Sequence, residues 1–142
     1  MTEKIKDRMT SEQGFTLIEL LVVIIILGIL VAIAVPSYLS FRGKAEVAAS
    51  EANVRSAIPA AESFYNDPAT GNGSYTAIDG AALRLQAPGV STTTKAADNA
   101  AGTGYCIQAT QGGSTYHYSG GVGGTATIAS GVCDAVTYPG AA

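Results

Sequence analysis

Gly14-Phe15-Thr16-Leu17-Ile18-Glu19-Leu20, continued as LVVIIILGILVAIAVP to Pro36, is the stretch on which the fold turns. Between Phe15 and Val35 lie 21 residues, and Glu19 is their one ionisable side chain. A helix of that length, at about 1.5 Å rise per residue, covers roughly 30 Å, the thickness of a bilayer's hydrocarbon core. A carboxylate inside such a helix costs roughly 2.5–3.5 kcal/mol even on the lenient insertion scale, so it calls for a partner and a function.

On the N-terminal side, Met1 to Gly14 is short and charge-mixed, with Lys4, Lys6 and Arg8 set against Glu3, Asp7 and Glu12. Orientation follows Lys and Arg rather than net charge. Three basic residues here, against Arg42 and Lys44 beyond the helix, favour a cytoplasmic N-terminus. Two plain readings of the apolar run compete. A secretory signal peptide ends in a small-x-small site, and Ala32-Ile33-Ala34 supplies one, whose use would free 108 residues. Against it stand the length of the run, Glu19 within it, and Pro36 just after the cut. An uncleaved membrane anchor is the other.

Beyond Pro36 the helical pattern continues through SYLSFRGKAEVAASEANVRSAIPAAESFYN. Val47, Val54, Ile58, Ala61 and Tyr65 recur at spacings of three and four, which lines them on one face against a sheet, with Glu51 at the edge. Pro59 predicts a bend unless neighbouring contacts absorb it. Asn66-Asp67-Pro68 followed by TGNGS ends the helix. From Phe15 to Tyr65 that makes 51 residues, on the order of 75 Å. One chain of this size cannot bury such a helix, so its apolar half needs lipid or other subunits. Gly71 to Asp98 reads as a connection with a short helix at Ala81 to Gln86 and a loop through Pro88, Gly89 and Thr92 to Thr94. Asn72-Gly73-Ser74 is a glycosylation sequon that also fits a turn.

The period then changes. Tyr105 to Gln111, Ser114 to Ser119 and Thr125 to Ser130 read as three strands of an antiparallel meander, separated by Gly112-Gly113 and Gly120 to Gly124. Cys106 and Cys133 are the only cysteines. An even pair in a chain with an export signal predicts one disulfide; two buried thiols are the alternative. A bridge closes a loop of 28 residues and contributes roughly 3–4 kcal/mol in the chain-entropy picture.

Composition narrows the function classes. The remainder is rich in Ala, Gly, Ser and Thr, with seven Tyr and no Trp among 142 residues, so its core is small. A net charge of −3 argues against nucleic acid as the main partner, which wants clustered Lys and Arg. His117 is the single histidine and alternates with Tyr116 and Tyr118 in a predicted strand, the pattern of a surface residue. Asp79, Asp98 and Asp134 are scattered, without the oxygen-ligand spacing of a calcium loop. No glycine-rich phosphate loop and no Cys/His metal cluster is present, so the chain is read as a non-enzyme without cofactor.

Gly14-Phe15-Thr16-Leu17-Ile18-Glu19-Leu20 with unbroken aliphatics behind it resembles the prepilin motif of type IV pilins and their relatives, the type II secretion pseudopilins. The resemblance is dense from Gly14 to about Ala49 and architectural afterwards; the net-neutral leader departs from the usual basic one. It implies an α+β fold in which a long N-terminal helix, its apolar half protruding, packs on a small C-terminal antiparallel sheet. It divides the chain into a cleaved leader (1–14), an assembly half-helix (15–36) and a globular domain (37–142). A prepilin peptidase cuts between Gly14 and Phe15, leaving 128 residues, and methylates the new amine of Phe15. Glu19 falls on the family's glutamate, and pairs with its own amine or a neighbour's, or snorkels at the interface without a partner. Gly28 and Pro36 fall where pilins carry a glycine and a kinking proline. The segment between them either melts on assembly or serves as a packing glycine and a simple kink. A disulfide-bounded C-terminal region, here Cys106 to Cys133, is also a pilin feature.

The function so implied is that of a filament subunit on the cell surface. Its partners are identical subunits, prepilin peptidase, an inner-membrane assembly platform, and lipid before assembly. A pseudopilin, some of which hold calcium, and a minor or tip pilin that binds DNA or a surface are the alternatives. Glu19 and the acidic balance disfavour the last.

Overall fold

The computed structural model describes residues 14–141. The leader residues, and with them Lys4, Lys6 and Arg8, lie outside the described residues. Helix α1 runs from Leu17 to Asn66, helix α2 from Gly80 to Gln86, and four strands follow: β1 (Thr94–Asp98), β2 (Gly104–Gln111), β3 (Ser114–Gly121) and β4 (Ile128–Ser130). A 3₁₀ turn, Pro139–Ala141, comes last. The chain divides between Ser40 and Phe41 into two compact units. The fold is α+β: the α1 residues of the second unit pack on a small antiparallel sheet, as expected.

In the first unit every large apolar side chain of α1 is open to the surroundings, from Leu21 at 44% to Leu17 at 85%. The helix passes Gly28, Pro36 and Pro59 without an interruption. Proline 36 removes the donor that would serve the Ala32 carbonyl. One position further on, the Ser37 hydroxyl donates to the Ile33 carbonyl at 3.3 Å.

In the second unit α1 buries Ser50, Val54, Ala57, Ala60, Ala61 and Phe64. This corrects the predicted stripe: Val54 and Ala61 are central, whereas Val47, Ile58 and Tyr65 are half-buried flanks. The buried seam consists largely of small residues, and hydrophobic periodicity gives Ser50, Ala57 and Ala60 little weight. The Ser50 hydroxyl donates to the Ser114 carbonyl at 2.7 Å, which ties the seam to β3.

The sheet has four strands in the order β1-β2-β3-β4, all antiparallel, where three were expected. The extra strand is β1, TKAAD, within the segment expected to be a connection. Four of its five residues, Lys95, Ala96, Ala97 and Asp98, have poor strand propensity, and pairing with β2 overrides it: Ala96 opposes Ile107 and Ala97 opposes Cys106. The last strand is shorter than predicted, because Ala126 has a φ of 54° and the Thr125 and Ala126 amides bond to Ser119 instead. The β2–β3 hairpin closes through Gly112 and Gly113, with φ of 57° and 94°, the mirror-image turn that suits twisted strands.

Alternation along β2 splits the core into two clusters. Tyr105, Ile107 and Ala109 join Val54, Ala57, Ala61, Phe64 and Leu83. Cys106, on the opposite face, joins Ala97, Cys133 and Tyr138. Tyr105 lies across Gly120, its partner in β3, and a Cβ there would come within 2.7 Å of the ring. Tyr65, Tyr75, Tyr105 and Tyr118 form a run of neighbouring rings with centroids 4.7, 4.6 and 6.1 Å apart.

Two of these phenols end on one carboxylate. Tyr75 donates to Glu62 Oε2 at 3.1 Å and Tyr105 to Oε1 at 2.8 Å. Burial first, and the Glu62 charge second, push the Tyr75 hydroxyl from 10.0 up to about 12; burial and the bond to Glu62 raise Tyr105 as well. A raised phenol pKa keeps the native state protonated where the unfolded chain has ionised. The stability involved is complete below pH 10 and is lost as pH climbs through 12. The stability measured by equilibrium unfolding is therefore expected to fall from about pH 10 upward, and less steeply in Tyr75→Phe; parallel slopes would remove the assignment to Tyr75.

Candidate assembly site

The prepilin-like residues stand at the head of α1. Gly14 is the first described residue, and a side chain at that position would meet nothing within 4 Å. Phe15 is 82% exposed and precedes the helix, which starts at Leu17. Thr16 acts as the cap. Its Oγ1 accepts the Glu19 amide at 3.2 Å, its hydroxyl faces Glu19 Oε2 at 3.5 Å, and its carbonyl takes the Leu20 amide at 3.2 Å. Thr16-x-x-Glu19 ahead of an apolar run is a capping-box pattern, which gives Glu19 a second role beside any amine pairing. Cap and charge pairing are compatible, since the amide bond to Thr16 leaves carboxylate lone pairs free.

Further along, Gly28 is as open as Gly14: apart from the helix's own turn, nothing among the described residues comes within 4 Å of a Cβ at that position. Packing among the described residues does not require a glycine at 28. Pro36 and its neighbour Ser37 lie near the end of the first unit. Among the described residues α1 is the one helix long and apolar enough to cross a membrane. Water is a poor solvent for this surface. Each side chain that moves into lipid or against another helix gains on the order of 25 cal/mol per Å² of apolar area.

Cys106 and Cys133, in the other unit, form the expected disulfide with Cα atoms 6.0 Å apart. Cys106 is the third residue of β2, and the Cys133 amide donates to Gln108 Oε1 at 2.7 Å. Asp134 begins a turn; the Thr137 hydroxyl, then the Val136 amide, hold its carboxyl below the usual range. Asp79 caps α2 through the Ala82 amide, and His117 Nδ1 lies 3.2 Å from the Gly131 carbonyl. Asn72, of the sequon, is exposed in a turn with φ of 47°. Glu62 is a residue that sequence reasoning missed; it lies just outside the buried seam of α1, and no local pattern couples it to Tyr75 and Tyr105.

A helix whose exposed apolar half is headed by a capped carboxylate, and whose other half packs on a small stapled sheet, defines a pilin-like α+β protein. Comparison with known proteins agrees. The family described as the prokaryotic N-terminal methylation motif matches residues 9–35. The type IV major pilin protein PilA of Myxococcus xanthus is 38% identical over 55 residues, 39% of this chain and 25% of the relative. A fimbrial protein of Pseudomonas aeruginosa is 44% identical over 55 residues, 39% of this chain and 36% of the relative. The type IV major pilin protein PilE1 of Neisseria gonorrhoeae is 53% identical over 38 residues, 27% of this chain and 23% of the relative. In its N-terminal segment the chain is similar to type IV pilins. The matched stretch spans about a quarter to a third of those relatives' length. No solved structure matches the chain significantly.

Proposed function

We propose that the chain is the structural subunit of a type IV pilus-like extracellular filament. The prepilin is held in the cytoplasmic membrane by α1, cut between Gly14 and Phe15 and N-methylated by a prepilin peptidase, then passed by an inner-membrane assembly platform into a helical homopolymer. The observation that carries this reading is the wholly exposed apolar half of α1 with Glu19 at its head. Lipid and a bundle of identical helices cover that surface about equally well, so the transfer between them gains little hydrophobic energy. Specificity then falls to packing, with Gly28 and Pro36 in the contact, and to the pairing of Glu19 with the Phe15 amine of a neighbour. An unpaired carboxylate in a dry filament core is penalised, which favours subunits docked in register. No step in this cycle asks the subunit for catalysis or a cofactor. Similarity to proteins named as major pilins favours a principal subunit over a pseudopilin or a tip protein.

Purifying surface filaments and sequencing their dominant subunit tests the proposal; filaments built of another protein overturn it. Processing has its own test. Replacing Gly14 by Leu or Phe is expected to block the cut, so that mass spectrometry of the membrane fraction finds the 14-residue leader retained on essentially all of the protein. Removal of the leader at the wild-type rate would rule out recognition of that glycine.

A further inference from the structure

Gly14, Phe15 and Thr16 are exposed and lie outside α1, whose first residue is Leu17. Propensity does not set that boundary, since Phe15 is as good a helix former as the valines further along. One side chain sets it. In a helix that ran on toward Gly14, the Glu19 amide would donate to the Phe15 carbonyl and the Ile18 amide to the Gly14 carbonyl. Thr16 Oγ1 accepts the Glu19 amide instead, at 3.2 Å, and the Leu20 amide closes the first turn on the Thr16 carbonyl. The donor that would wind Phe15 into the helix is thus already engaged.

The consequence falls on the amide between Gly14 and Phe15. Hydrolysis there puts the oxygen of water on the Gly14 carbonyl carbon, leaving a carboxylate on Gly14 and an amine on Phe15. A carbonyl wound into a helix is tied to an amide four residues ahead and wrapped by its neighbours, so a peptidase needs the bond outside the helix. A membrane sharpens the point. Amides at a helix start have no partner within the helix, and in a bilayer an unpaired one is expensive. Without its cap, α1 would take the carbonyls of Gly14 and Phe15 as acceptors.

We infer that Thr16 is a positioning residue for leader removal: by capping α1 it keeps the Gly14–Phe15 amide out of the helix and open to a peptidase. This role rests on the processing proposed above. It uses the backbone amide of Glu19, so loss of the Glu19 carboxylate, whose Oε2 lies 3.5 Å from the Thr16 hydroxyl, leaves the main contact of the cap in place.

The test follows cleavage of the full chain, in a neutral detergent, by purified prepilin peptidase. Thr16→Val keeps the shape of threonine without the hydroxyl, whereas Thr16→Asn changes the shape and caps at least as well. Thr16→Val is expected to raise KM roughly fivefold with kcat unchanged, because loss of an N-cap depletes the conformer that the peptidase binds. Thr16→Asn and Thr16→Ser should be cut as the wild type is. In ¹³C-labelled chains the Cα shifts of Gly14 and Phe15 should become helical in Thr16→Val alone. Direct recognition of the threonine by the peptidase gives the reverse order, Val cut normally and Asn poorly, and overturns the role. So does a wild-type KM in Thr16→Val, or Cα shifts in which Leu17 to Leu20 fray while Gly14 and Phe15 stay as they were. Wild-type chain left intact, or cut elsewhere, refutes the processing reading itself, and the role of Thr16 with it.

Discussion

Glu19→Ala and Glu19→Val are expected to abolish or sharply reduce surface filaments while leaving leader removal and membrane insertion intact. Both substitutions make α1 more apolar, so insertion becomes easier by roughly the 2.5–3.5 kcal/mol that a carboxylate costs in a membrane helix. What they remove is the group that penalises a misplaced neighbour. The bond between the Glu19 amide and Thr16 Oγ1 introduces a competing explanation, in which Glu19 matters as the third residue of a capping box. Glu19→Gln separates the two. Glutamine serves a capping box as glutamate does but has no charge for the Phe15 amine. Filament yield in Glu19→Gln should therefore fall nearly as far as in Glu19→Ala. If Gln assembles normally and Ala does not, the cap is the essential feature; normal yield from both removes Glu19 from assembly altogether.

The second large effect is expected at the disulfide. Replacing Cys106 and Cys133 together by Ala should cost the second unit about 3–4 kcal/mol, the loop-closure entropy restored to the unfolded chain. For a unit of about one hundred residues that lowers the melting temperature by roughly 12–30 °C. The loss is large because the cluster it fastens is small: Ala97, Cys106, Cys133 and Tyr138 are its buried members. Thermal unfolding of the full chain in detergent, followed by near-ultraviolet circular dichroism of the tyrosines, measures it. Wild-type protein under reductant should reproduce the variant, and a drop of only a few degrees would show that Gln108 and Tyr138 hold the C-terminal segment unaided.

How far these features could be read from the sequence depended on whether they were local. The extent of α1 was legible because one unbroken apolar run and one cluster of turn residues, Asn66-Asp67-Pro68, mark its course. The two-residue hairpin was legible because Gly112 and Gly113 supply the positive φ that the turn demands. Cysteine arithmetic gave the bridge. What stayed hidden depends on contacts between distant residues. TKAAD becomes a strand only through its register with β2, and Ser50, Ala57 and Ala60 gain importance only when a sheet lies 64 residues or so further along the chain, as the Ser50–Ser114 bond shows. At the head of α1 the residues were legible and the Thr16 cap was not, because the bond from the Glu19 amide to Thr16 Oγ1 depends on where the helix starts.

The disulfide also has a mechanical consequence. Cys106 and Cys133 are 27 positions apart, and their bond removes that whole stretch, with β3 and β4 inside it, from any path of tension between the two ends of the chain. A single molecule pulled from both ends should lengthen by on the order of 90 Å less when oxidised than when reduced. Under load the hairpin half of the sheet is a passenger, and the strain passes through β1, the first residues of β2 and the bridge.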